Sequence, residues 1–251
     1  MIKIFVIGMP RSGTSMMCNI LTQMGCDFLC EKEGIDDIYN KDLNYDGFFQ
    51  RKDIHYLIGN NKLHTFDENK MHIKDCVNGF LNNNKNLNSD KIIAIKEPYL
   101  LYIIEYIIEC GITIVMIRNK QDTINSCKKF ISDHKIDYDN VWDKYYKKFI
   151  SISSKIKYII VDYDKLINDP QSTYEEFYNT IISLVPNLSK INISNIVKNK
   201  NTKLINSNYI HYIIKNNKIL DFNIKKCHKY KPNDKCFCDT MKKYKLCCGK
   251  M

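Results

Sequence analysis

Nothing in these 251 residues approaches the run of about 20 apolar side chains that a membrane-spanning helix needs, which excludes a chain anchored by such a helix. No leader is expected either, since Met1-Ile2-Lys3 runs straight into an apolar strand pattern that reads as part of the fold and not as a cleavable signal. A soluble intracellular protein is expected, without membrane insertion. In a reducing compartment the 11 cysteines read as free thiols or metal ligands, not disulfides. There is no internal repeat and no dominant block of one charge. The net charge of +10 is spread through pairs such as Lys128-Lys129, Lys147-Lys148 and Lys225-Lys226, so a dedicated nucleic-acid-binding chain is disfavoured while an anionic cofactor is welcome. Glycine and proline are scarce at 9 and 5 residues, beside abundant Asn, Lys, Ile and Tyr, a skew that an AT-rich coding sequence explains before any function does. What is there is enough to fold: 44% hydrophobic and 26% charged residues are near the globular average, and the length suits one large domain with a small appendage.

Short β-rich apolar runs recur at 2–7, 91–95, 112–117 and 157–161, each followed by a segment with helical spacing. The first ends at Gly8 and leads through a loop into a helix over 15–24 closed by Gly25. This alternation predicts an α/β fold of three layers, a parallel sheet flanked by helices. The polar, Asn-rich stretch from Cys26 to Asp90 reads as an insertion lining the substrate side of a pocket, with helices over 52–58 and 73–81. A further helix is expected over 174–184, after Asp169-Pro170, and one short helix between Pro186 and Lys226.

The loop Gly8-Met9-Pro10-Arg11-Ser12-Gly13-Thr14-Ser15 joins a buried strand to a helix start. Such a turn aims backbone N–H groups at one point, and the helix dipole adds positive charge there, so it suits a phosphate. A nucleotide triphosphatase loop would end in Gly-Lys-Ser/Thr, with the lysine on the terminal phosphates. Here Gly13-Thr14-Ser15 lacks that lysine and Arg11 precedes it, which disfavours ordinary ATP hydrolysis.

Pro10-Arg11-Ser12-Gly13-Thr14-Ser15 resembles the 5′-phosphosulfate loop of sulfotransferases, in the Pro-Arg-Ser-Gly-Thr-Thr form of tyrosylprotein and many bacterial members. Other segments follow in the family's order. The strand 112–117, then Arg118 and Ser126, is similar to the segment that holds the nucleotide's 3′-phosphate, with Lys120 where a proline is usual. Lys96-Glu97-Pro98 is similar to the Lys-Asp-Pro segment, whose lysine assists the transferring group. Asn44 to Gln50 and Val161 to Pro170 resemble two further stretches of bacterial members, and the resemblance covers roughly residues 2 to 185.

The resemblance implies 3′-phosphoadenosine 5′-phosphosulfate as donor, bound by Arg11, Ser12, Gly13, Thr14, Ser15, Arg118 and Ser126, with Arg11 and Lys96 stabilising the leaving phosphate and no metal needed for that step. A base for the acceptor's proton is also implied. Glu31 and Glu33 lie where tyrosylprotein relatives carry a glutamate base, and Glu97, His55 and His64 stay open beside them. The Arg-Lys-Gly segment of the cytosolic small-molecule enzymes is absent. The acceptor, a hydroxyl or amine on a protein, glycan or small molecule, is not specified.

The last residues change character. Cys236-Phe237-Cys238 and, eight residues on, Cys247-Cys248 supply four thiolates, the ligand set of a structural zinc site. The segment resembles the zinc-binding motif at the C-terminus of the SecA translocase, with Asp239-Thr240-Met241 in place of Gly-Ser-Gly; that resemblance implies a small module for a protein or nucleic-acid partner. The expected division is a sulfotransferase-like phosphate-loop domain over 1–225 and the zinc motif over 226–251. The rival readings are a phosphate-loop kinase or nucleotide-phosphate transferase, and a non-catalytic nucleotide-binding adaptor whose zinc module acts.

Overall fold

A computed structural model describes residues 3–28, 49–60, 73–83, 92–107, 111–130 and 136–197. Within them four parallel strands form a sheet in the order β2-β1-β3-β4: β1 Lys3–Gly8, β2 Ile93–Lys96, β3 Gly111–Ile117 and β4 Tyr158–Asp162. Helices α1 (Thr14–Gln23), α2 (Lys52–Asn60) and α3 (Ile73–Asn83) lie between β1 and β2 in the chain. Next come α4 (Lys120–Phe130) and α5 (Tyr138–Ile152) between β3 and β4, and then α6 (Tyr163–Asn168) and α7 (Pro170–Leu184). Side chains alternate between faces along a strand, yet β2 is buried at every position and β1 and β3 at all but the first. The sheet is therefore covered on both faces, which is why these strands read as continuous apolar runs. Ile4, Val6, Ile7, Ile114 and Val115 are completely buried, each contributing about 1.5–3 kcal/mol. Phe5 meets Phe80 of α3 with ring centroids 5.9 Å apart, so the helix read from the Asn-rich insertion packs on the sheet.

Beyond α1 the chain returns to the sheet edge, where Asp27 N–H donates to Ile92 O and Asp27 O accepts from Ala94 N–H, both at 2.9 Å. The chain order runs outward from β1 to β2, then back across β1 to β3 and on to β4. The carboxyl ends of β1 and its two neighbours thus mark the place where the winding reverses, the usual site of ligands in such sheets.

Two expectations need correction. The segment after β2 is not an α-helix but two 3-10 turns, Pro98–Tyr102 and Ile104–Tyr106. Glu97 caps the first through Tyr99 N–H at 3.3 Å with Pro98 at its first position, and Leu100 to Ile104 are all buried, so packing outweighs helical spacing. Helix α7 also starts four residues early, at Pro170, because Asp169 caps it through Ser172 N–H and proline suits the first helical position. Of the stretch from 186 to 226, the described part holds a 3-10 turn at Ile193–Asn195. Glu31, Glu33, His64, Cys236, Cys238, Cys247 and Cys248 lie outside the described residues. Among the described residues, no helix is long and apolar enough to cross a membrane, and no cluster of His, Cys, Asp or Glu is arranged to hold a metal.

Candidate functional site

The loop after β1 is built by close approach. A Cβ on Gly8 would come within 2.6 Å of Ser12 Oγ and 2.7 Å of Met116 O, so the chain can bend there only with glycine. Ser12 N–H closes the turn on Met9 O at 3.0 Å. Arg11 adopts φ 71°, a left-handed conformation that a non-glycine residue keeps only when its surroundings hold it. The hold is visible: Arg118 Nη1 donates to Arg11 O at 3.0 Å, and Arg11 Nε donates to Ser126 Oγ at 3.1 Å. From beneath, the buried Cys127 thiol donates to Pro10 O at 3.3 Å.

Gly13 then opens α1 at φ 93°, and the Tyr163 ring fills the space where a Cβ would sit. The other face of this contact is cationic, with the Arg118 guanidinium 4.8 Å from the Tyr163 ring centre. Helix α1 has no side-chain cap and no acidic residue in its first turn, whereas α5, α6 and α7 are each capped by an aspartate. Its first turn therefore lacks both the capping oxygen and the negative charge that those helices carry, and it follows closely on Arg11. Two buried polar atoms of these residues, Ser12 Oγ and Arg118 Nε, have no hydrogen-bond partner among the described residues. Burial draws the Arg11 guanidinium below its ordinary value; Arg118 adds to this, while Cys127 and Tyr163 oppose it.

The adjacent wall comes from β2. Lys96 is 4% exposed, and its Nζ lies 3.4 Å from Ser15 Oγ in the first turn of α1. Glu97, 1% exposed, turns the opposite way and accepts from Gln50 Nε2 at 2.7 Å and His55 Nδ1 at 3.2 Å, besides capping the turn. Because a carboxylate only accepts, the contact places a proton on Nδ1 of the half-buried His55 and turns Nε2 away from Glu97. On the far wall, Asp164 Oδ2 accepts Asn119 N–H at 2.7 Å and fixes the bend between Arg118 and α4. Burial raises the Asp164 carboxyl; the Asn119 bond and the charge of Arg118 work against that rise.

Thus the turn Arg11, Ser12, Gly13, Thr14 and Ser15 is met by Lys96, Arg118 and Ser126, from 81 to 115 positions further along the chain. A model of the sulfotransferase family matches residues 3–181, well over half of the chain. The chain belongs to that family. No curated protein matches it. The departure of this sulfotransferase-family chain from the usual proline at Lys120 has a local account: Lys120 Nζ binds Asp143 at 2.8 Å and lies 5.3 Å from the Trp142 ring centre, away from the Arg11 turn.

Sequence reasoning missed three residues of this candidate site. Tyr163 falls in the stretch from Val161 that resembled bacterial members, yet nothing in its spacing announces a ring against Gly13. Tyr145 Oη accepts Gly8 N–H at 2.9 Å and donates to Pro98 O at 2.7 Å, from a helix far along the chain. Cys127 is a free, buried thiol whose contact with Pro10 O no local spacing announces. Each is a contact between distant segments and leaves no local pattern.

Proposed function

We propose that the protein transfers the sulfuryl group of 3′-phosphoadenosine 5′-phosphosulfate to a hydroxyl or amine acceptor. The observation that carries this is the hydrogen-bonded continuity from the Arg11 turn to Arg118 and Ser126: the two sets of residues suited to phosphates meet in one surface, which lacks the lysine that ATP chemistry uses. Two guanidiniums held together in partly buried surroundings repel one another, and a phosphate beside them offsets that cost.

In this reading the amides of Gly13 to Ser15, with Ser12 Oγ, cradle the 5′-phosphosulfate. Arg11 and Lys96 stabilise charge on the bridging oxygen as the sulfur–oxygen bond to the leaving phosphate breaks. Arg118 Nε and Ser126 Oγ take the 3′-phosphate. The new bond forms between sulfur and the acceptor atom, whose proton must leave. Among described residues His55 suits that task best, since Glu97 orients its ring and leaves Nε2 as the basic atom. Glu31 and Glu33 are the alternatives named by resemblance. The proposal extends to the chain's organisation: the transferase body runs to residue 225, and the four cysteines of 226–251 hold one structural zinc, supported by their spacing.

Calorimetric titration tests the donor assignment. The protein should bind 3′-phosphoadenosine 5′-phosphate and show little affinity for ATP with magnesium. Arg118→Ala removes a charge-assisted contact of about 1.5–3 kcal/mol and should weaken bisphosphate binding by about 10- to 100-fold. Preference of the wild-type protein for ATP would reject the reading.

A further inference from the structure

Strands β1 and β2 pair in parallel register from Lys3↔Ile93 to Val6↔Lys96, and there the ladder stops. The next donor along β1 that would continue it, Gly8 N–H, does not meet a β2 carbonyl. It meets the Tyr145 hydroxyl at 2.9 Å, and that hydroxyl passes its own proton to Pro98 O at 2.7 Å. A single oxygen is thus inserted between the two strand ends, using one lone pair and one proton to satisfy a backbone donor on one side and a backbone acceptor on the other. The residue is completely buried, and burial raises its ionisation well above the ordinary tyrosine value, so the proton stays in place across the working pH range. Its neighbour Tyr146 donates to Met116 O at 3.1 Å, and Met116 is the register partner of Gly8 on β3. Helix α5 therefore grips the carboxyl ends of β1, β2 and β3 through two consecutive hydroxyls.

What hangs from those strand ends is the site. Gly8 leads directly into the phosphate loop, while Pro98 follows Lys96 and Glu97. Across the same gap, Lys96 Nζ approaches Ser15 Oγ to 3.4 Å. We infer that Tyr145 is a positioning residue that holds the phosphate loop and the Lys96 wall at the spacing a bound phosphosulfate requires. The inference rests on the proposed nucleotide site. A misplacement of about 1 Å at such a site is enough to cost about 100-fold in rate, so a spacer hydroxyl acts on function and not just on stability.

The test compares Tyr145→Phe with Tyr174→Phe, using 3′-phosphoadenosine 5′-phosphate as the probe. Tyr174 also spends a buried-ring hydroxyl on a backbone group, accepting Ile191 N–H at 2.9 Å, but from α7 and onto a segment outside the loop. Both variants should melt earlier than the wild type. Titrated well below their melting temperatures, Tyr174→Phe should bind within twofold of the wild type and Tyr145→Phe at least tenfold more weakly. Equal binding by Tyr145→Phe would overturn the positioning role while leaving the nucleotide site intact; a wild type that does not bind the bisphosphate would remove the site and this inference together. Should Tyr145→Phe fail to fold, hydrogen exchange on the wild type decides. The bisphosphate should slow exchange in the segment around Gly8 and in 97–102 in step, and protection confined to the loop would refute the coupling.

Discussion

Replacing Gly13 with alanine probes how the site is assembled, because two separate costs can be worked out from its surroundings. At φ 93° the backbone lies where an L side chain is strained, and a left-handed residue costs about 1–2 kcal/mol. In addition, the new Cβ would stand 2.2 Å from Tyr163 Cδ2 and 3.0 Å from Tyr163 Cγ. Those are atoms at the base of the ring, so the ring cannot give way by turning its tip. Forcing it aside is an overpacking cost of about 1–3 kcal/mol and also pulls the ring from beneath the Arg118 guanidinium. The sum is about 2–5 kcal/mol. Urea unfolding followed by the fluorescence of Trp142, the chain's one tryptophan and 5% exposed, measures it. The Tyr163→Ala background separates the terms: there Gly13→Ala should cost about 1–2 kcal/mol, leaving a coupling of about 1–3 kcal/mol. A Gly13→Ala cost that is the same in both backgrounds would refute the steric account of why glycine opens α1.

Three further outcomes follow from the same geometry. Burial pushes the Cys26 thiol up to about 12, so folding favours its neutral form; that contribution is intact below the ordinary thiol range and is lost as pH rises, by roughly 1–2 kcal/mol at pH 10. Cys26→Ala should therefore flatten the loss of stability between pH 9 and pH 11, and curves that stay parallel would disprove it. His55→Ala should lower the rate of labelled-sulfate transfer by about 100-fold or more while bisphosphate affinity is kept, and unchanged turnover would remove His55 from the proton-accepting role. Elemental analysis should find close to one zinc per chain, dependent on Cys236, Cys238, Cys247 and Cys248; a metal-free protein with a folded tail would defeat the zinc assignment.

The chemistry asked of this site is mostly electrostatic. Neither guanidinium stands alone: Arg118 supports the strained Arg11 carbonyl while Arg11 supports Ser126. Substitution of either should therefore disturb the other end of the proposed nucleotide site, and single-residue losses will not add as independent contacts do.

Much was legible in the chain itself. Continuous Ile, Val and Phe runs can only be strands buried on both faces, so the four strands and their parallel sense were readable, as were α1, α2 and α3 within two residues at each end. The strand-loop-helix at Gly8 to Ser15, the arginine at the end of β3 and the lysine at the end of β2 were readable for the same reason: local spacing places them on the carboxyl edge of a sheet. Tertiary structure alone decided which distant groups share that edge. The ring of Tyr163 on Gly13, the Tyr145 oxygen between β1 and β2, the thiol of Cys127 under Pro10 and the pairing of His55 with Glu97 join segments 42 to 150 positions apart. Such pairs carry no period and no motif, because their distances are set by how helices pack over the sheet and not by the bonds along the chain. The 3-10 turns after Glu97 show the same limit from the other side, since burial of Leu100 to Ile104 overrode a spacing that by itself spelled helix.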